Sequence, residues 1–206
     1  TGKPLVLVLN AGRPRIVDEL VPLADAVIVA MLPGNYGGDA LAALVSGKEN
    51  FSGKLPFTYP KYSNKHGVYD YKVSEQQETM LGSYGYNADM VVQWPFGHGL
   101  SYTTFEYSEP VLSDSLMVGR KPVKVSVEVK NTGKYDGHET VQLYIRDIVT
   151  PNWTRPVKEL KGFQKVFIPA GESTVVEFEI TPEMLSWYVV DQYNLSGSRN
   201  PLHAEL

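Results

Sequence analysis

The run Trp94-Pro95-Phe96-Gly97-His98-Gly99-Leu100-Ser101-Tyr102-Thr103-Thr104-Phe105-Glu106-Tyr107 limits what this chain can fold into more than any other stretch. Pro95 withholds a backbone donor, and Gly97 and Gly99 allow a path that residues with a β-carbon resist. Leu100, Tyr102 and Phe105 then begin a strand-like run. A block of this kind stops whatever precedes it and starts a β segment, so the chain reads as two folded parts with a join between them.

The two sides of the join carry different periods. Leu5 to Leu9 is a continuous apolar run ended by Asn10-Ala11-Gly12, which suits a strand buried on both faces. Ile16, Val17, Leu20, Val21 and Leu23 recur at near-helical spacing with Asp18 and Glu19 in an early turn, which predicts a helix. Ala26 to Leu32 reads as a second buried strand stopped by Pro33-Gly34. Asp39 is then placed to cap a second helix whose apolar face is Ala40, Leu41, Leu44 and Val45, with Gly47 ending it. Strand, helix, strand, helix is only part of a parallel sheet, because parallel strands need neighbours and covering layers. The chain therefore reads as a piece of a longer one, with a partner expected N-terminal to it. Homo-oligomerisation through the open sheet edge is the alternative.

After Ser108 the period becomes two. Val123, Val125, Val127 and Val129 alternate with Lys124, Ser126, Glu128 and Lys130, so one face is buried and one wet. Val141–Ile145, Phe163–Ile168 and Val175–Ile180 are further strand-like runs, with turns at Thr132-Gly133 and Pro169-Ala170-Gly171. The pattern predicts a β-sandwich. Between the two parts, Lys61 to about Met90 is polar and rich in tyrosine: Tyr62, Tyr69, Tyr71, Tyr84 and Tyr86. Such rings either pack a long loop onto a surface or line a sugar-binding rim, and packing is the expectation.

The block at 94–107 resembles the connector of family 3 glycoside hydrolases, the β-glucosidase family, where such a run leads into a fibronectin type III-like domain. Asn10-Ala11-Gly12-Arg13-Pro14, Leu32-Pro33-Gly34 with Gly37-Gly38-Asp39-Ala40, and Phe51 to Pro60 are similar to the family's strand-end and loop signatures. Val129 to Gly133, Gly137 to Asp147, Arg155 to Phe163 and Pro169 to Glu172 are similar to strands and turns of the later domain. The resemblance runs from Gly2 to about Leu185. It implies an α+β two-part chain: a partial parallel α/β sandwich over 1–60, a Tyr-rich connector over 61–108 and a fibronectin type III-like antiparallel β-sandwich over 109–206. The segment from Asn194 to Leu206 departs from the family, whose domain closes with a strand pair after a Pro-Gly turn, so the last strand stays open.

The same resemblance implies a parent enzyme that removes non-reducing-end glucose from β-glucosides with retention, with a β-xylosidase as the alternative. The family's nucleophile is an aspartate of an N-terminal barrel, and its acid/base is a glutamate in a loop ahead of the strand that matches Leu5 to Leu9. Neither falls within this sequence, so the piece by itself is expected to be inactive. Its implied partners are that barrel and the rest of the α/β domain. A periplasmic or secreted parent is what the family suggests.

Independent readings of the residues point the same way. Asp39, Glu49, Glu75 and Glu78 are the carboxylates nearest the presumed interdomain side, and capping or solvation is their expected role. His66, His98, His138 and His203 lack metal-ligand spacing, and His98 is expected to hydrogen-bond local backbone. Gly34, Gly37 and Gly38 precede a helix without the rest of a phosphate-binding motif, and Ser52 and Ser101 fit no nucleophile elbow. No residue is assigned a catalytic, cofactor-binding or metal role, and no cofactor is expected.

The formal net charge of −4, with no concentrated Lys and Arg, argues against nucleic acid. The longest apolar stretch, Ala24 to Leu32, contains Asp25 and is far short of the roughly 20 residues of a membrane span. The absence of cysteine excludes disulfides and thiolate sites without fixing a compartment. Asn50, Asn152 and Asn194 lie in Asn-x-Ser/Thr triplets of a kind that arises by chance. A non-catalytic module that binds carbohydrate or a partner through the Tyr-rich connector, Trp153 or Trp187 is the rival reading, and pure scaffolding is a third.

Overall fold

The apolar runs at the N-terminal end pair as parallel strands in the computed structural model, which describes residues 2–63, 67–72, 92–148 and 155–186. Strand β1 (Val6–Leu9) lies in register with β2 (Ala26–Val29), Val6 opposite Ala26 and Leu9 opposite Val29. The Asp25 carboxylate accepts the Leu5 amide at 2.7 Å, closing the start of the pair. The crossover between them is not the regular helix that Ile16 to Leu23 predicts. Only a 3-10 turn forms, at Val21–Leu23, and Pro22 supplies the reason: it donates no backbone hydrogen bond and clashes with a preceding turn.

Helix α1 (Gly37–Val45) follows, with Tyr36 at its N-cap and no side-chain cap. Asp39 sits in the first turn, where its charge suits the helix dipole, and does not cap. The C-terminus ends as the sequence predicts: Gly47 takes φ +75°, and Gly47 and Lys48 donate to the carbonyls of Leu44 and Ala43.

The C-terminal part is two antiparallel sheets. In one, β5 (Val123–Asn131) is central: β8 (Ser173–Ile180) pairs along most of it, while β3 (Phe105–Tyr107) and β4 (Val111–Leu112) take successive stretches of the opposite edge. The other sheet is β6 (Gly137–Ile145) against β7 (Glu159–Ile168), with a bulge between Leu143 and Tyr144. Short helix α2 (Pro182–Leu185) ends the described chain.

Val129, Val141, Ile168 and Val176 form the buried centre, with Phe105, Val127, Val166 and Phe178 around them. The valine alternation thus does what period two requires, while Lys124, Glu128 and Lys130 stay in water. The N-terminal part contrasts sharply: Leu5, Val6, Val8, Ile16, Leu20, Leu23 and Leu32 are exposed. No described helix is long and apolar enough to cross a membrane.

Candidate functional site

The strongest constellation of side chains joins the two parts. The end of the first part, Leu55 to Tyr59, pairs back on the start of the join. The Leu55 amide donates to His98, that of Gly97 to Leu55, that of Tyr59 to Trp94 and that of Gln93 to Tyr59, all at 2.8–2.9 Å. The Tyr-rich segment is therefore an excursion whose two ends are hydrogen-bonded together. Tyr59 is almost fully buried, meets Trp94 edge-on at 4.9 Å, and exchanges hydrogen bonds with the Arg15 backbone, its hydroxyl donating to the carbonyl at 2.9 Å.

Polar side chains then tie this ladder to the sandwich. Asn50 Oδ1 accepts from Ser101 Oγ and the Tyr102 amide, both at 2.9 Å, while its Nδ2 donates to the Asp136 carbonyl at 2.9 Å. Lys54 Nζ donates to the Gly99 carbonyl at 3.0 Å and stands 3.1 Å from Glu139 Oε1. Tyr107 Oη donates to the same carboxylate oxygen at 2.8 Å. On the outer face of β6, Thr140 Oγ1 donates to Ser52 and Gln142 Nε2 to the Gly97 carbonyl. Burial, then the Glu139 hydrogen bond and charge, raise the Tyr107 phenol well above its usual range.

Close approach explains the glycines. Gly97 has φ +78°, and a β-carbon there would run into Gln142 Oε1 and stand 2.7 Å from Tyr144 Oη. At Gly99 a β-carbon would overlap the Gly53 carbonyl. Phe96 stacks on Tyr69 at 4.1 Å, and Tyr144 of β6 meets both rings edge-on. Tyr69 also accepts from the Leu160 amide, and the Tyr71 carbonyl from Val157, so the described beginning of the Tyr-rich segment packs on the sandwich.

Behind the join, Asn131 is fully buried and fully used. Its Nδ2 donates to the carbonyls of Tyr135 and Ile168, and its Oδ1 accepts from Thr103 Oγ1 at 2.6 Å and the Gly133 amide at 3.1 Å. The Thr132-Gly133 turn is thereby pinned to both the join and the end of β7.

Among the described residues, those singled out from sequence lie in several places rather than one. Asp39 and Glu49 are exposed, in the first turn of α1 and a few residues after its end. His98 takes part through its backbone, and His138 lies against the Phe167 ring at 5.1 Å. Gly34 and Gly37 form the predicted tight turn, the Gly37 amide donating to Gly34. Ser52 and Ser101 serve as hydrogen-bonding partners of the join. Tyr62 is exposed, with the Lys61 ammonium 5.4 Å from its ring. Among the described residues no group of three or more His, Asp or Glu could hold a metal. Glu75, Glu78, His66, His203, Tyr84, Tyr86, Asn152, Asn194, Trp153, Trp187 and the tail from Asn194 lie outside the described residues. Asn50, Lys54, Glu139 and Asn131 were not singled out as site residues; the Asn-x-Ser triplet drew attention to Asn50 for another reason.

Comparison with known proteins places this architecture. The pattern of the glycosyl hydrolase family 3 C-terminal domain matches residues 1–102, and that of the fibronectin type III-like domain matches residues 139–196. The chain is 40% identical over 195 residues to a periplasmic β-glucosidase of Salmonella typhimurium, covering 91% of this chain and 25% of that protein. It is 38% identical to a putative β-xylosidase of Formosa agariphila, covering 90% of this chain and 24% of that one. Among solved structures, a Listeria innocua β-glucosidase in complex with glucose superposes with a TM-score of 0.81 at 36% identity, over 91% of this chain and 27% of that one. The chain thus spans about a quarter of the length of these relatives. It belongs to glycoside hydrolase family 3, as that family's C-terminal domain joined to a fibronectin type III-like domain, and is related to β-glucosidases.

Proposed function

We propose that this chain is the non-catalytic C-terminal part of a retaining, exo-acting β-glucosidase that releases terminal β-D-glucosyl residues. In this reading both catalytic carboxylates, which a retaining enzyme holds about 5–5.5 Å apart, come from polypeptide N-terminal to the matched quarter. The chain's own contribution is positional: the Asn50 and Lys54 links fix the α/β part against the sandwich, and Asn131 pins the join to it.

The observation that carries the reading is the exposed apolar surface of the α/β part, Val6 and Val8 on β1 with Leu5, Ile16, Leu20 and Leu23 outside it. A two-stranded parallel sheet with such a surface fits the edge of a larger α/β layer, and the relatives are about four times as long as this chain. We divide the chain into 1–60, 61–108 and 109–206 on the same basis.

The test is a hybrid in which this chain replaces the matched C-terminal residues of the Salmonella typhimurium relative. The hybrid is expected to hydrolyse an aryl β-glucoside faster than an aryl β-xyloside, while the 206-residue chain alone hydrolyses neither. Turnover by the chain alone would overturn its non-catalytic role. Preference of the hybrid for the xyloside would favour the β-xylosidase reading, which the Formosa agariphila relative supports.

A further inference from the structure

We propose that the outer face of β7, marked by Phe163 and Phe167, is a second docking surface, seated against the polypeptide that the longer relatives carry ahead of the matched quarter. The proposal rests on the function proposed above and adds to it a contact made by the sandwich directly, separate from the open face of the α/β part.

Phe163, Lys165 and Phe167 alternate along one face of β7 and lie opposite Gln142, Thr140 and His138 of β6. Cross-strand partners share a face. On that face Thr140 and Gln142 already bond Ser52 and Gly97 of the join, so the strip continues an interface that the structure contains. Yet the strip is open: Phe163 is 67% exposed and Phe167 54%.

A free sheet face in water favours polar residues, as Lys124, Glu128 and Lys130 show on β5. Two phenylalanines on one strand depart from that, and with 67% and 54% of their surface open each buries about 100 Å² or more when covered. Together they supply the apolar centre of an interdomain contact of about 600 Å² or more. Lys165 stands between the rings and has no ion pair among the described residues. The surface that fits is therefore apolar with a carboxylate facing Lys165.

Two variants, F163S/F167S and K165E, are placed in the isolated chain and in the hybrid with the Salmonella typhimurium relative, and thermal unfolding is followed in each. In the isolated chain both shift Tm by less than about 2 °C, because the side chains are exposed. In the hybrid both lower Tm by about 4 °C or more, and β7 amides exchange more slowly than in the isolated chain. A hybrid that hydrolyses the aryl β-glucoside but shows no extra Tm loss for either variant overturns the docking surface and leaves the proposed function standing. A hybrid that does not fold as one unit overturns both. A concentration-dependent dimer of the isolated chain that F163S/F167S abolishes assigns the strip to a second copy and overturns it as well.

Discussion

Lys54 and Glu139 form an ion pair across the join, 3.1 Å apart, with side chains only 18% and 9% exposed. The ammonium comes from the end of the α/β part and the carboxylate from β6, and Tyr107 and the Gly99 carbonyl complete the cluster. Removing one partner strands the other charge away from water, which costs about 3–5 kcal/mol, whereas replacing both by apolar groups of similar shape costs far less. E139L and K54M are each expected to lower urea stability by that order, and K54M/E139L by less than either. A double-mutant cycle from urea unfolding measures this; additive losses would show that the pair is not coupled.

Gly97 tests the close approach of the join to β6. In G97A the new methyl meets Gln142 and Tyr144 while the backbone holds φ +78°. Gly119 has φ +64° with open space around it, so G119A meets only the backbone penalty. G119A is expected to cost about 1 kcal/mol and G97A about 3 kcal/mol or more. Equal losses in chemical denaturation would mean that the contact with β6 is slack.

Asn131 separates shape from hydrogen bonding. N131A leaves the Thr103 hydroxyl, the Gly133 amide and two carbonyls without their partner, an expected loss of about 3 kcal/mol. N131D keeps the shape but turns a carboxylate oxygen toward the carbonyls of Tyr135 and Ile168, and is expected to cost more than N131A. Unfolding at pH 7 ranks them, and the reverse order would refute the assignment of donor and acceptor.

Tyr107 gives the fold a dependence on alkaline pH. Its folded phenol titrates above the unfolded value of 10.0, chiefly through burial. The native state then keeps a proton that the unfolded state releases, so this contribution is full below about pH 10 and is lost as pH rises toward the folded value. Above about pH 10 the Tm of the wild type is expected to fall more steeply than that of Y107F, the two curves running parallel below it. Curves that stay parallel above about pH 10 as well would place the phenol in ordinary water.

The sequence by itself determined the local elements. The valines of 123–129 could form only a half-buried strand, because side chains alternate across a sheet. The apolar runs at 5–9 and 26–32 read as strands buried by layers, and Gly47 ended a helix because glycine enters the left-handed region freely. The family was legible for the same reason, since its turns and strands are contiguous motifs. Periodicity failed where a single residue overrode it, as Pro22 did in the crossover.

Tertiary structure decided the join. Asn50 meets Asp136 across 86 positions, and nothing near either residue announces the other. Glu139 reads as a solvated charge in an alternating strand until the fold brings Lys54 and Tyr107 to it. Gly97 and Gly99 are recognisable as a turn, but the reason for glycine at these positions lies in Gln142, Tyr144 and the Gly53 carbonyl. Spacing along a chain encodes which face a residue takes, whereas pairing between distant faces exists only once the two parts are packed.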